Sequence, residues 1–258
     1  MKTIKSLYYH NPKSQGFEKM ILHYLKKGYR FIALSELYEI LRAGKSIHDK
    51  LAFISLDDGW RGNLKLIPII ERYQIPICIF VSTEPMFSGN YWWEYVVKNM
   101  GVKQMFEFKK LPYTTFYKRL AEIKIKYKLE RSAITIEELK EISRHPLITI
   151  QSHTVNHPIL TNSPDDVLKM ELCDSKMQLE EMTGKRVYAF SYPNGSLTNR
   201  EVCFCKKYYD IAFTTEQRHI RISDDLYVLP RYALTGQYFR DLLKVNGIWK
   251  ILKKIIRN

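Results

Sequence analysis

Several features common in secreted and membrane proteins are missing from this sequence. The 258 residues include only four cysteines, which show neither the close pairing of a zinc knuckle nor the density of a disulfide-stabilised domain. The sequence has no run of about 18 apolar residues, the length needed to cross a bilayer. Its first ten residues lack the apolar stretch and the cleavage site of a signal peptide. We therefore expect reduced thiols and a cytoplasmic location.

Linkers and repeats are also missing. There is no internal repeat, no proline- or glycine-rich segment, and no change in composition that would mark a domain boundary. Hydrophobic residues make up 45% of the chain and aromatic residues 13%, which is enough for one sizeable buried core. We therefore predict a single domain over residues 1–258.

Acidic residues are scarce in two stretches, so the excess of positive charge is regional. The formal net charge is +14. Residues 101–131 contribute +6, from nine basic and three acidic residues, and residues 244–258 contribute +5, from five basic residues and no acidic one. Such stretches either face an anionic surface or form solvated helical faces. No nucleic-acid-binding motif accompanies them, so we expect no nucleic-acid partner.

Strand-like apolar runs alternate with amphipathic helical stretches along the chain, which is the pattern of parallel βα units. The predicted strands are 4–9, 31–34, 51–56, 77–82, 147–151, 187–191, 211–214 and 227–231. The predicted helices are 17–27, 35–42, 63–73, 136–144, 165–183 and 197–207. Seven or eight strands with interleaved helices favour an α/β fold, a deformed (β/α) barrel. Residues 86–131 break the alternation, and we predict that they form an insertion over one face of the barrel.

Two adjacent carboxylates follow the strand predicted at 51–56. Asp57 and Asp58 precede Gly59, whose freedom to turn lets both acids reach one pocket. Two like charges this close repel each other unless a cation or a proton lies between them. An Asp-Asp-Gly turn that caps the next helix is the alternative interpretation.

Two histidines follow a later strand. His153 and His157 lie four residues apart, on one helical turn or a tight loop, where neutral imidazoles can bind a transition metal. Together with the acid pair they offer one carboxylate and two imidazoles as ligands, and a second carboxylate able to act as a base. The same ligand set forms the facial triad of non-haem iron oxygenases, which stays an alternative.

These motifs resemble those of the polysaccharide deacetylase family, the fourth carbohydrate esterase group, whose members are deformed (β/α) barrels that deacetylate N-acetylated sugars. Residues 55–59 (Ser-Leu-Asp-Asp-Gly) are similar to its first motif, and residues 153–157 (His-Thr-Val-Asn-His) to its second. Residues 190–195 (Phe-Ser-Tyr-Pro-Asn-Gly) resemble its third, in one subgroup. A subgroup that acts on poly-N-acetylglucosamine is similar in having an early histidine.

The resemblance implies roles for these residues. Asp57 would be the general base, and Asp58, His153 and His157 would bind a divalent metal. Zinc is the default metal for this ligand set, with cobalt, nickel or iron as further candidates. In the third motif, Tyr192, Pro193 and Asn194 would border the oxyanion and the substrate, and we assign the oxyanion-binding amide to Asn194.

Two departures from the family's pattern lead to substitutes. The arginine that many members carry before the third motif is missing, and we predict that Arg231 replaces it. The late histidine that serves as general acid is also missing. We predict that His10, which ends the first strand, takes its place, because barrel strands deliver their C-terminal ends to the active site. A strand-end hydrogen bond is the alternative for His10, Asp57 is the alternative acid, and His219 is the remaining histidine candidate.

The insertion contains two adjacent tryptophans. Trp92 and Trp93 cannot both face a core, so one is expected at the surface or in the cleft. They form either a stacking platform for sugar rings or a plug that fixes the insertion to the barrel.

The resemblance therefore implies a metal-dependent hydrolase that removes an N-acetyl or related acyl group from an amino sugar. The substrate would be a polysaccharide, an oligosaccharide or a lipid-linked glycan. The alternatives are a catalytically impaired carbohydrate-binding barrel and an iron oxygenase. Residues 236–258 are predicted to form a basic amphipathic helix, which either packs on the barrel or makes peripheral contact with an anionic membrane.

Overall fold

The computed structural model describes residues 3–44 and 47–248, and its strands form one parallel sheet. The strands in the described residues are β1 (Lys5–Tyr9), β2 (Arg30–Phe31), β3 (Leu51–Leu56), β4 (Ile77–Val81), β5 (Ile148–Ser152), β6 (Ala189–Ser191), β7 (Ile211–Phe213) and β8 (Tyr232–Ala233). Their order is β7-β6-β5-β4-β3-β1-β8, with β2 beside β3. A parallel bridge between Phe213 and Leu229 and the pairing of β8 with β1 connect the two ends of the sheet. The predicted deformed (β/α) barrel is confirmed.

Helices cover the outside of this sheet. They are α1 (Ser14–Lys26), α2 (Leu34–Ala43), α3 (Ile67–Tyr73), α4 (Glu84–Ser88), α5 (Trp92–Phe108), α6 (Tyr113–Lys126), α7 (Ile136–Ser143), α8 (Asp165–Thr183), α9 (Asn199–Cys205) and α10 (Tyr238–Val245). Short 3₁₀ turns lie at Arg61–Leu66, Leu160–Asn162 and Pro193–Gly195. Within the described residues, no helix is long and apolar enough to span a membrane.

Sequence periodicity explains the main elements. Every residue of β3 is buried, as expected of a central parallel strand that is covered on both faces. In α1, Phe17, Met20, Ile21 and Tyr24 are buried, which is the spacing of a helix with one face on a core. The four cysteines, all within the described residues, are unpaired.

The last strand differs from the prediction of residues 227–231. Leu229 pairs with β7, but β8 starts only at Tyr232 and pairs with β1. Between them lies Pro230, which has no N–H to donate to a ladder. The segment therefore changes partner at the proline instead of continuing as one strand.

The ends of the strands determine where functional residues gather. Tyr9 at the end of β1 lies in register with Leu56 at the end of β3, and Val81 of β4 lies in register with Ser152 of β5. Ser152 in turn pairs with Phe190 of β6. The residues that follow these strands therefore meet at one end of the barrel, where the C-terminal ends of the strands lie.

The insertion predicted at residues 86–131 contains α5 and α6, which follow α4 and lie between β4 and β5. It has a small core of its own, formed by Trp92, Tyr95, Val96, Phe108, Phe116, Leu120 and Ile123. Backbone N–H groups of Ser132 and Ala133 donate to the Gly89 carbonyl, which joins the two ends of the insertion. The insertion is thus a helical hairpin fixed at its base.

Only part of the C-terminal helix predicted at 236–258 falls within the described residues. There α10 ends at Val245 and is followed by Gly247 with a φ of 76°. The Tyr238 hydroxyl lies 3.0 Å from His23 Nδ1 of α1, so α10 packs on the barrel. Residues 249–258, which carry most of the predicted interfacial face, lie outside the described residues.

Candidate active site

The first acidic motif lies at the end of β3. The Asp57 N–H donates to the Tyr9 carbonyl at 2.8 Å, which continues the β1–β3 ladder by one residue. Asp58 then turns with a φ of 78°, and its Oδ2 accepts a hydrogen bond from Trp60 Nε1 at 2.8 Å. Both carboxylates are buried, at 2% and 3% exposure.

The two motif histidines meet Asp58. His153 Nε2 and His157 Nε2 lie 3.4 Å and 3.5 Å from Asp58 Oδ1, and all three side chains are buried. His153 Nδ1 lies 2.7 Å from the Ser191 carbonyl oxygen. A carbonyl can only accept, so Nδ1 carries a proton and the ring is oriented with Nε2 toward Asp58.

These three residues fit a divalent metal. Asp58 Oδ1 is buried and accepts no hydrogen bond from the described part of the chain. Burial and the neighbouring His153 lower the pKa of His157 to about 3, so its imidazole is neutral at pH 7. Burial would raise the pKa of Asp58, but His10 and the two histidines outweigh it and lower that pKa. One carboxylate oxygen and two imidazoles thus converge, which is a ligand set that zinc accepts.

The loop between the histidines is fixed by Glu171 of α8. Glu171 Oε2 accepts hydrogen bonds from the backbone N–H groups of Val155 and Asn156, at 2.8 and 2.9 Å. Glu171 Oε1 accepts a hydrogen bond from Asn156 Nδ2 at 2.8 Å. The His157 N–H donates to Thr154 Oγ1 at 3.0 Å. These bonds fix the direction of both imidazoles.

Arg231 holds the other carboxylate. Its Nη1 donates to Asp57 Oδ1 at 2.7 Å and its Nη2 to Asp57 Oδ2 at 2.8 Å. The guanidinium also donates to the hydroxyls of Ser55 and Ser191 and lies over the Tyr8 ring, 4.2 Å from its centroid. Burial would raise the pKa of Asp57, but Arg231 outweighs it and the pKa is lowered. Asp57 is therefore ionised at neutral pH.

A cavity of about 430 Å³ lies over these groups. Its lining comprises Tyr8, His10, Asp57, Asp58, Trp60, Trp93, Met105, Lys109, His153, His157, Tyr192, Asn194 and Thr215. His10 is an exposed residue, so it lies where the cavity meets solvent. Trp93 stacks on Tyr91 and contacts the His157 ring.

Four predicted residues lie outside the cavity lining. One of them, Arg231, contacts the cavity residue Asp57 directly. Trp92 is 4% exposed, packs on Phe108 and Phe116, and donates its Nε1 to the His157 carbonyl at 3.0 Å. Pro193 is buried behind Tyr192 and Asn194. His219 accepts the Ser6 N–H near the start of β1, whereas His10 follows the end of that strand.

The backbone at the cavity is unusual. The non-glycine residues with positive φ in the described residues are Asp58, Gln74, Thr154, His157 and Asn194. Four of these five belong to the three motifs. Such conformations are costly for residues other than glycine and cluster at functional sites.

Comparison with known proteins identifies the family. The sequence profile described as polysaccharide deacetylase matches residues 44–212. The chain belongs to the polysaccharide deacetylase family.

A Bacillus subtilis (strain 168) relative, provisionally named the polysaccharide deacetylase YxkH, is 23% identical over 226 residues. The alignment covers 87% of this chain and 65% of the relative, so the chain spans about two thirds of that protein's length. The family expectation drawn from the motifs is confirmed.

Solved deacetylase structures share the fold. Streptococcus pyogenes deacetylase PplD, in complex with acetate, aligns with a TM-score of 0.70 and 18% identity over 92% of this chain and 96% of its own. IcaB from Ammonifex degensii aligns with a TM-score of 0.67 and 17% identity over 94% and 96%. The BpsB deacetylase domain from Bordetella bronchiseptica aligns with a TM-score of 0.66 and 12% identity over 90% and 96%. At these identities the likeness shows the fold alone.

Several residues of this candidate site were not predicted from the sequence. Trp60 adjoins the first motif, so its position after Gly59 was an available signal. Glu171 and Ser191 act through contacts that no local pattern reveals. Lys109 is followed by Lys110, and nothing in the sequence separates the cavity residue from its exposed neighbour.

Proposed function

We propose that this polysaccharide deacetylase hydrolyses the N-acetyl group, or a related acyl group, of an amino sugar in a glycan, and that it depends on a divalent metal. The observation that carries the proposal is one cavity lined by both the Asp58-His153-His157 cluster and the arginine-bound Asp57. The family membership favours this over the oxygenase alternative.

The metal would be bound by Asp58, His153 and His157, with zinc as the default and cobalt, nickel or iron also accepted by such ligands. When bound, it would polarise the amide carbonyl and acidify a water molecule. The chain's own contribution is a fixed ligand set, since Glu171 and Ser191 orient the loop and the His153 ring.

Asp57 is suited to accept the proton of the attacking water. Its bidentate contact with Arg231 keeps it ionised and fixes the direction of its oxygens. A carboxylate with a lowered pKa is a weak base, but it can take a proton from an acidified water.

The oxyanion and the leaving amine need donors. We propose that a backbone N–H of the Tyr192–Asn194 loop, which borders the cavity, donates a hydrogen bond to the developing oxyanion. The N–H of Asn194 is the first choice. His10 at the mouth would protonate the sugar nitrogen as it leaves. The alternative acid is Asp57, which would return the proton that it took.

The aromatic side of the cavity suits a sugar ring. Trp60 and Trp93 both line it, and their ring centroids lie 6.2 Å apart. Aromatic faces pack against the apolar face of a pyranose. Trp92 supports this wall from behind, so direct sugar contact is proposed for Trp93 and not for Trp92.

Peripheral contact with an anionic membrane, which would bring the enzyme to lipid-linked glycans, remains a prediction that depends on residues 248–258. A cytoplasmic location is likewise a prediction. Binding of the full chain to anionic liposomes at low salt tests the membrane contact, and absence of binding would reject it.

The test of the proposed function combines metal analysis with acetate release from N-acetylated oligosaccharides. Asp58→Ala, His153→Ala and His157→Ala should each lose the metal. Asp57→Asn should keep it and lose roughly 10²–10⁴-fold in rate, the usual contribution of a general base.

Matched controls come from surface residues of the same types. His145→Ala removes a histidine that contacts Glu71 on the outside of the barrel, and Asp165→Asn removes an exposed partner of Arg200. Both should keep metal and rate. Full activity of Asp57→Asn would reject the base assignment, and full activity without any metal would reject metal dependence.

A further inference from the structure

Lys109 is the cavity residue whose charge the proposed reaction does not use. It follows the last residue of α5, and its side chain lines the cavity. The carbonyls of Lys109 and Leu111 accept hydrogen bonds from Asn162 Nδ2 at 3.0 and 3.2 Å. The backbone that carries the ammonium is therefore fastened to the barrel, although Lys109 belongs to the insertion.

The ammonium is held at the cavity wall by neutral groups. Lys109 Nζ donates to the Asn194 amide oxygen. It also lies 6.0 Å from the centroid of the Trp92 ring and 5.8 Å from that of Phe106. Within residues 3–44 and 47–248, the Asn194 amide oxygen is the hydrogen-bond acceptor for Lys109 Nζ. No carboxylate in these residues forms an ion pair with Lys109.

The other cavity charges have partners. Arg231 neutralises Asp57, and the proposed metal would neutralise Asp58. Lys109 is half-buried, and burial lowers its pKa, with Asp58 opposing the shift. A cation removed from water without a counter-ion is unfavourable. An anion beside it would relieve that cost.

The neighbouring Lys110 shows that the missing ion pair is specific to the position of Lys109 and is not shared by the whole segment. Its Nζ lies 2.7 Å from Glu107 Oε1, and its side chain is 69% exposed. The two lysines are neighbours in sequence and carry the same charge. Lys110 faces solvent and forms an ion pair with Glu107, whereas Lys109 faces the cavity and forms no ion pair with the described residues.

We propose that Lys109 binds an anionic group, a phosphate or a carboxylate, carried by the glycan next to the acetylated sugar. The inference rests on the proposed function for the reacting acetyl group and adds a substrate class. An ammonium binds such groups as a point charge, and the partly enclosed cavity limits screening by salt. The +6 charge of residues 101–131 adds a field that attracts the same substrates.

The experiment compares three matched probes: the methyl glycoside of N-acetylglucosamine, its carboxymethyl glycoside, and N-acetylglucosamine 1-phosphate. Dissociation constants come from the fluorescence of Trp60 and Trp93, which line the cavity, so binding is measured whether or not acetate is released. Each titration is made with zinc-loaded and metal-free protein, and acetate release is measured in parallel.

We expect wild type to bind at least one anionic probe about 10- to 100-fold more tightly than the neutral one, the range for a hydrogen bond to a charged group. The carboxylate and phosphate arms show which anion is preferred. Lys109→Met should abolish the preference, Lys109→Arg should keep most of it, and Lys110→Met should leave it unchanged. Higher salt should weaken it.

Three results would overturn the inference. They are equal binding of all probes by wild type, an equal loss in Lys109→Met and Lys110→Met, and a preference that survives Lys109→Met but disappears without metal. If Lys109 only positions Asn194, replacing Lys109 should weaken the binding of neutral and anionic probes by the same factor. Failure of the proposed function is separable, because it would appear as absent acetate release with the binding preference intact.

Discussion

Replacing Arg231 with methionine leaves Asp57 as a buried carboxylate without its positive partner. Arg231 and Asp57 are 0% and 2% exposed, so solvent cannot replace the guanidinium. Removing one partner of a buried ion pair costs about 3–5 kcal/mol. Ser55 and Ser191 also lose donors. We therefore expect Arg231→Met to lower the free energy of unfolding by about 3–5 kcal/mol at pH 7.

A double-mutant cycle isolates the charge effect. Urea unfolding of metal-free wild type, Asp57→Asn, Arg231→Met and the double variant gives the four free energies. The double variant should be more stable than Arg231→Met alone, because it has no unpaired charge to bury. Arg231→Lys should fall between wild type and Arg231→Met, since lysine keeps the charge but not the two parallel hydrogen bonds.

The pH dependence has a defined sign. In wild type the pKa of Asp57 is lowered despite burial, because Arg231 outweighs it. The resulting stability is present above the carboxylate's unfolded pKa of about 4 and is lost as pH falls through the folded pKa. In Arg231→Met, burial dominates and the pKa rises, so the variant gains stability relative to wild type as pH falls from 7 toward 4. A difference that stays constant over this range, or a double variant less stable than Arg231→Met, would refute the reasoning.

Two further predictions concern the cavity mouth and the aromatic wall. His10→Gln should keep metal and substrate binding but lose most of its rate and the alkaline limb of its pH–rate profile, which reports the acid's pKa; an unchanged profile would leave Asp57 as base and acid. Trp93→Ala should raise KM by about tenfold for loss of a stacking contact, with little change in melting temperature. Trp92→Ala should destabilise the fold by about 3–5 kcal/mol as a large core truncation. If both tryptophan variants raise KM equally at a temperature where both are folded, the division between wall and support is wrong.

The sequence predicted the barrel and the meeting of the motifs because both depend on local pattern. Apolar strands such as β3 are recognisable, and parallel strands bring Asp57, Asp58 and His153 to one edge whatever the details of the loops. The two histidines four apart indicated their own proximity.

Features that depend on tertiary contacts were less accessible. On either side of Pro230 the chain pairs with different strands, β7 before it and β1 after it. This change could not be predicted without knowing that these two strands flank the segment. Which tryptophan faces the cavity depends on where α5 begins, with Tyr91 as its N-cap. Lys109 and Glu171 gain their positions from the insertion and from α8, so only the fold distinguishes them from other charged residues.

The contact between Asp57 and Arg231 also has a consequence for the newly made chain. The two residues are 174 positions apart, so at about 5–20 residues per second Asp57 leaves the ribosome roughly 9–35 seconds before its partner. Until then burying Asp57 is unfavourable, and the edge of β1 that pairs with β8 has no partner strand. Closure of the barrel therefore has to wait for the last strand, and meanwhile the unfinished chain presents an open strand edge that chaperones or neighbouring chains can bind.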